Sequence, residues 1–428
     1  MIRRFIITVL ISLGYIQAAI GLWQAADFFI HPFRGYIFTG SFNNPGPYAC
    51  FLAILFPIAL SEWLHASNKW MKFYGMGLTL QSIILIAASM SRTAWIACSL
   101  GTIILSYPDI KQKIKGVSKL YATIIILLVT ICGSGIYFIK KDSADGRILM
   151  WKVAVDAASD APVNGVGWEN VSGAYGDAQE NYFASGEATV QEQRIADVVE
   201  YIFNEYLRVA IAYGIAASVI MTLVIVMALT LTLKNALYEI AGAIAAIMAV
   251  MTASYPFNST LFISAIALVI ICGYMSVHEP LIRAAGTAIV IAGALTLTFS
   301  RHEINTHDEF YSGISLKRMG KYRESNRKFF VLLHHSSDPM PLNIIGKNYQ
   351  ALGMPDSAAH YFRRAANRCP NRLYPHYLLI QLYADSASYD RDLMLQEARI
   401  LATKKEKVPS PAVDEMRRKA LTILNTHP

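Results

Sequence analysis

Apolar runs of membrane-crossing length recur from the first residues to about residue 300 and then stop. A helix needs about 20 apolar residues to span the hydrocarbon. Runs near 5–25, 47–62, 74–91, 93–107, 119–139, 207–233, 236–254, 258–276 and 282–300 predict about nine spans by this criterion. The second and fourth are short. A long acidic, non-apolar stretch at 140–206 interrupts the series, and from Arg301 to Pro428 the text is charge-rich and soluble in character. The expected fold class is all-α. A polytopic transmembrane bundle over 1–300, with a large loop at 140–206, precedes a soluble helical domain over 301–428.

Short loops rich in Lys and Arg stay in the cytoplasm. Arg3 and Arg4 place the N-terminus inside, and alternate connections carry Lys69 and Lys72, then Lys111, Lys113, Lys115 and Lys119, then Lys234, then Arg283. The short connections on the other side carry only Arg34 and Arg92. The loop at 140–206 and the C-terminal domain are therefore expected outside the cytoplasm. A secretory signal peptide is the rival reading of the first run, but that run is long and lacks a small-x-small cleavage site.

The C-terminal domain has a period near 34. Gly346, Tyr349, Gly353, Ala358, Phe362, Ala365 and Pro370 fall at the spacings of a helix–turn–helix repeat, and Gly313, Gly320 and Phe329 repeat them 33 residues earlier, with Ser325 in place of the small Ala. Tyr383 follows Tyr349 by 34. This pattern resembles tetratricopeptide repeats over 306–409, in which Gly and Ala let paired helices approach and aromatics fill between units. About three units meet the minimum for a stable stack.

Composition agrees with a membrane chain: 54% hydrophobic and 16% charged, with a mean hydropathy of +0.37, against roughly 25% charged residues in soluble domains. Charge is divided unevenly. Residues 301–428 carry 20 Lys/Arg against 13 Asp/Glu, and 140–206 carries 12 acidic against 5 basic residues. The basic domain is thus suited to dock on the acidic loop or on an anionic glycan or headgroup; an ordinary solvated surface is the competing account. The five cysteines show no metal or disulfide spacing.

Four segments carry candidate chemistry. Ser41-Phe42-Asn43-Asn44-Pro45-Gly46-Pro47-Tyr48 forces a turn before a span, where free helix amides favour an anion. Ser91-Arg92-Thr93-Ala94-Trp95 sets one guanidinium between two apolar runs, either to grip phosphate oxygens or to snorkel to the headgroups. Gly146-Arg147-Ile148-Leu149-Met150-Trp151-Lys152 reads as an amphipathic surface helix ended by Pro162 and a Gly-bearing turn at Gly165-Val166-Gly167-Trp168, with Trp151 and Trp168 suited to the interface. Glu200-Tyr201-Ile202-Phe203-Asn204-Glu205-Tyr206-Leu207-Arg208 opens the next span, with Asn204 and Arg208 one turn apart. Ionisable residues at the lip of a bilayer are costly unless they are used, so a charged lipid-linked substrate is expected there.

These motifs, in this order and followed by Tyr213-Gly214, resemble the O-antigen ligase and O-antigen polymerase superfamily over about residues 10–235. The resemblance implies a bacterial inner-membrane protein with a periplasmic loop and C-terminal domain. It implies transfer of a glycan from an undecaprenyl diphosphate carrier to an acceptor hydroxyl, with no metal or cofactor. By motif, Arg92 and Arg147 take the diphosphate. The family His before the motif Asn is Phe203 here, so Glu205 is the first candidate base and Glu200 the second. Arg34, Asn204, Tyr206, Glu200 and Arg208 are candidate substrate contacts. Several spans precede the first motif in the family, one here. The implied partners are the polyprenyl-diphosphate-linked donor, an acceptor lipid, glycan or protein, and a protein bound through the repeats; nucleic acid is not among them. A lipid-linked glycan transporter would show inverted repeats and midplane charges, which the sequence lacks. A non-catalytic assembly scaffold is the other rival, and Phe203 favours it.

Overall fold

The computed structural model describes residues 2–30, 35–108, 110, 141–300, 306–407 and 410–427, and every regular element among them is helical. These residues group into two units. One comprises Met1–Ile139, Phe203–Tyr206 and Ala216–Arg301, the other Lys140–Ile202, Leu207–Ile215 and His302–Pro428.

The first unit is apolar. It contains α1 (Ile2–Ile30), α2 (Pro45–His65), α3 (Lys69–Ala88), α4 (Arg92–Leu105), α9 (Ile215–Lys234), α10 (Tyr238–Ala253), α11 (Thr260–Tyr274) and α12 (Pro280–Phe299). Five of these, α1, α2, α3, α9 and α12, are long and apolar enough to cross a membrane; α4, α10 and α11 are apolar but shorter. The expected span at 119–139 lies outside the described residues, as does Arg34.

The centre of this unit is α2, packed by α1, α3, α4 and α10. Its run from Tyr48 to Leu55 is almost wholly buried, as is Ile240–Ile247 of α10. Small residues permit this. A Cβ on Gly101 of α4 would lie 2.9 Å from the Gly242 carbonyl and 2.5 Å from Pro57, so α4 and α10 meet backbone to backbone beside α2. By contrast α12 exposes Leu281, Ile289, Leu295 and Phe299, an apolar exterior that suits lipid rather than water.

The second unit holds α5 (Lys141–Asp160), α6 (Val171–Ala184), α7 (Val190–Ile195) and the seven helices α13 (Thr306–Arg318), α14 (Tyr322–His335), α15 (Met340–Ala351), α16 (Pro355–Arg368), α17 (Tyr374–Ala384), α18 (Arg391–Thr403) and α19 (Pro411–Thr426). Each of the seven packs on its sequence neighbour. The close approaches expected of the small residues are present: a Cβ on Gly346 would meet Phe362 at 2.4 Å, and one on Gly313 would meet Phe329 at 2.8 Å. Ser325 has a polar use that Ala lacks. It is fully buried, donates to the Gly313 carbonyl at 2.8 Å and accepts from Asn348 at 3.0 Å.

The acidic loop and the basic helices dock on each other. Arg364 reaches Glu180, and Arg368, with no exposed side chain, pairs with Asp177 and lies 3.6 Å from Glu180. Asp197 takes Lys407 at 2.6 Å and Arg372 at 3.4 Å. Around these pairs the Ser337 hydroxyl accepts from the Val199 amide at 2.8 Å, and Asn371 donates to the Ala196 carbonyl. Gly173 lies so close to His334 that a Cβ would stand 2.1 Å from its carbonyl oxygen. Part of the charge asymmetry in the sequence thus serves an intramolecular contact.

One expected element divides differently. The span anticipated from 207 begins at Ile215, because a separate helix α8 (Glu205–Tyr213) ends at Gly214, whose φ is +89°. The sharp turn needs glycine: a Cβ there would stand 2.1 Å from the Val163 carbonyl oxygen.

Candidate functional site

In the apolar unit, the candidate residues gather around one turn that sequence reasoning passed over, Ser254–Asn258. Ser91 caps α4, accepting from the Ala94 amide, and sets Arg92 at the first helical position. Thr93 then donates to the Ala253 carbonyl at 3.2 Å, fastening the start of α4 to the end of α10. Glu205 is fully buried and accepts from the Phe257 amide at 2.8 Å. Phe203 meets Tyr255 edge to face, with centroids 5.0 Å apart. Arg92, Phe203 and Glu205 are therefore linked, each through a neighbour or directly, to residues 253–257. The readable signal was a proline-bearing Tyr255-Pro256-Phe257-Asn258 between two apolar runs, comparable to the turn at 43–48.

That earlier turn is built for structure. Gln24 accepts from the Thr39 and Gly40 amides, both at 2.8 Å, and Gln17 accepts from the Ser41 amide at 3.1 Å. Asn44 caps α2 through the Gly46 amide at 2.8 Å. The amides expected to attract an anion already have acceptors here. Tyr206 donates its hydroxyl to the Met248 carbonyl of α10 at 3.5 Å, and its own carbonyl accepts from Ser218 at 2.8 Å, bracing the start of α9.

In the polar unit, Arg147 lies on α5, half-exposed, one turn before Trp151. The same helix buries Leu149, Val153, Ala154, Ala157 and Ala158. This agrees with an amphipathic helix ended near Pro162. Glu200 is exposed and accepts from its neighbour Tyr201. Asn204 precedes α8 rather than sharing its face with Arg208.

The Gly-bearing segment after Pro162 has a clear role. Val166 and Gly167 donate their amides to the Ile211 and Ala212 carbonyls, both at 2.9 Å, and Ile215 donates to the Pro162 carbonyl at 2.9 Å. The last carbonyls of a helix lack partners within it, so this segment caps α8 from outside. Gly165 has φ +66°, and a Cβ there would sit 2.4 Å from Ala212. Trp168, expected at the membrane interface, is instead buried beneath Arg208, whose guanidinium lies 3.9 Å from the ring centroid and 5.9 Å from that of Tyr201. A cation so held over aromatic faces is fixed in position while keeping its charge.

Farther along α5, Lys152 donates to Tyr182 at 2.6 Å, and Tyr182 donates to Glu192 at 3.0 Å. Burial works to raise the Glu192 carboxyl, but hydrogen bonds from Thr189 and Tyr182 and the Lys152 charge hold it below the usual range.

Residues 77–222 match the O-antigen ligase family. The matched segment runs from α3 into α9 and contains Arg92, Arg147, Glu200, Asn204, Glu205, Tyr206 and Arg208. The turn at 41–48 and Arg34 precede it. No curated protein and no solved structure gave a match. The ligase-family match and the five apolar helices support a multi-pass membrane protein with a glycan-transferring, ligase-type function.

Proposed function

We propose that this chain transfers a glycan from a polyprenyl diphosphate to an acceptor hydroxyl at the periplasmic face of the bacterial inner membrane, with 140–206 and the C-terminal repeats in the periplasm. The observation that carries this reading is the ligase-family match over 77–222, a range that includes Arg92 and Arg147.

The acceptor oxygen attacks the anomeric carbon as the bond to the diphosphate breaks. Negative charge grows on the departing bridging oxygen. Arg92 and Arg147 take that charge as fixed cations, each able to grip two oxygens; removing one such donor typically costs about 10²–10³ in rate. Arg208, held over Trp168, is the third cation in this scheme. For the acceptor proton, Glu200 is the stronger choice over Glu205, since it is exposed whereas Glu205 is enclosed and bonded to the Phe257 amide. Phe203 cannot accept a proton. Tyr206 and Asn204 remain substrate contacts in the proposal, and Glu205 positions the turn that follows α10.

The α13–α18 helices are read as tetratricopeptide-like repeats that recruit an acceptor or a partner protein.

The test is the glycan and lipid profile of cells lacking the protein. Unligated carrier-linked polymer indicates a ligase, single repeat units a polymerase, and bare periplasmic proteins a protein glycosyltransferase. An unchanged profile removes the proposal. Arg147→Lys should abolish most transfer at unchanged membrane abundance, because an ammonium loses the paired contact of a guanidinium.

A further inference from the structure

A cavity of about 340 Å³ opens at one end of the apolar unit, where α1 and α10 begin and α2 and α4 end. Its wall carries Arg3 and Arg4 from α1, Glu62 and His65 from α2, and Glu239 from α10. Among the described residues no ion pair within 4 Å joins these guanidinium and carboxylate groups. The cavity, not a salt bridge, stands between them. One Glu62 oxygen, Oε2, is closed to solvent and has no hydrogen-bond donor, a costly state for a charged acceptor.

The missing partner for Glu62 is a donor with positive charge. Two guanidiniums on the same wall call for an oxyanion. A purely anionic ligand would face both carboxylates, and a simple cation would face both arginines. A group carrying a phosphate and a primary ammonium satisfies both sets. Its source is suggested by the surroundings: Ile2 and Phe5 of α1, and Trp70 and Phe73 of α3 at the same end, are exposed apolar side chains suited to acyl chains. The 14 residues of α4 separate this end from Arg92 by about 20 Å along the helix, so the cavity is distinct from the proposed transfer chemistry and does not depend on it. The Lys/Arg distribution assigns this end to the cytoplasmic leaflet.

We propose that the cavity binds the phosphate–ammonium headgroup of phosphatidylethanolamine, with Arg3 and Arg4 on the phosphate and Glu62 and Glu239 on the ammonium.

The full chain, reconstituted in nanodiscs of phosphatidylcholine, is titrated with phosphatidylethanolamine or phosphatidylglycerol, and the unfolding midpoint and retained lipid are measured. Phosphatidylethanolamine should raise the midpoint and be retained selectively. Choline, whose methylated nitrogen donates no N–H, and phosphatidylglycerol, which lacks an ammonium, should not. Glu62→Gln should reduce the preference for ethanolamine over choline lipid about tenfold, and Arg4→Gln should weaken both alike. Equal stabilisation of the unaltered chain by all three lipids overturns the proposal, whatever the variants do. A matching rise from soluble phosphoethanolamine in choline discs supports the same headgroup chemistry with a dissolved source; no such rise supports the lipid.

Discussion

The Glu205 carboxylate accepts a hydrogen bond from the backbone amide of Phe257 at 2.8 Å. Phe257 lies in the short turn between α10 and α11, where no helical carbonyl is available to its amide. A buried carboxylate thus orders the turn around which Thr93 and Phe203 also pack, through Ala253 and Tyr255.

Glutamine at 205 keeps an oxygen that accepts from Phe257. Glu205→Gln should therefore preserve membrane abundance and most glycan transfer, whereas Glu200→Gln should slow transfer by about 10²-fold or more. Transfer measured in membranes from the two variants decides between them. Full activity of Glu200→Gln with loss in Glu205→Gln would reverse their roles.

Gly214 and Gly165 bring the 162–167 segment against the end of α8. Alanine at either position combines a positive φ with contact under 2.5 Å to backbone, a cost of about 3 kcal/mol each. Thermal unfolding should fall sharply for Gly214→Ala and Gly165→Ala, and less, by about 1 kcal/mol, for Gly186→Ala, where φ is also positive but the surrounding space is open.

Arg368 is sealed between the acidic helix α6 and the C-terminal helices. Arg368→Ala should free the C-terminal helices for limited proteolysis, because it removes a fully buried side chain that pairs with Asp177 and donates to the Ser336 carbonyl at 3.4 Å, although Arg364 still holds Glu180. High salt should do far less to the unaltered chain, since it reaches the Asp197 pairs and the half-exposed Asp177 but hardly the Arg364–Glu180 contact.

Asp197 supplies the pH dependence of the same contact. Burial raises its carboxyl, but the Lys407 hydrogen bond, the Val198 amide and the Lys407 and Arg372 charges outweigh it, and the folded pKa lies below the ordinary 3.8. Its contribution is therefore complete above that value and is lost as pH falls through the folded pKa. Docking of the C-terminal helices, followed by proteolysis, should weaken in acid below about pH 4, and Asp197→Asn should flatten that part of the profile. Cys369, which burial pushes up to about 12, should resist alkylation at pH 8 until the unit unfolds.

Hydrophobic run length alone made the helical membrane part legible, since each run must satisfy its own backbone hydrogen bonds in lipid. Local punctuation was nearly as readable: Asn44 and Pro45 start α2 and Ser91 starts α4, because caps depend on residues few positions apart, while the repeat spacing set Gly346 against Phe362. The division at Gly214 was not readable, as Ile211 to Leu233 continues one apolar pattern across it. Trp168 likewise has an interfacial composition and a buried position.

The chain's own order of residues determined where helices begin, which runs are apolar and where opposite charges accumulate. Only tertiary structure decided what those features are used for: that Val166 and Gly167 cap α8, that Arg368 closes on Asp177 and Glu180, that Glu205 serves Phe257. Each of these joins positions far apart in the chain or in different elements, and such pairings are set by packing and by the need to satisfy buried polar groups, neither of which has a local signature.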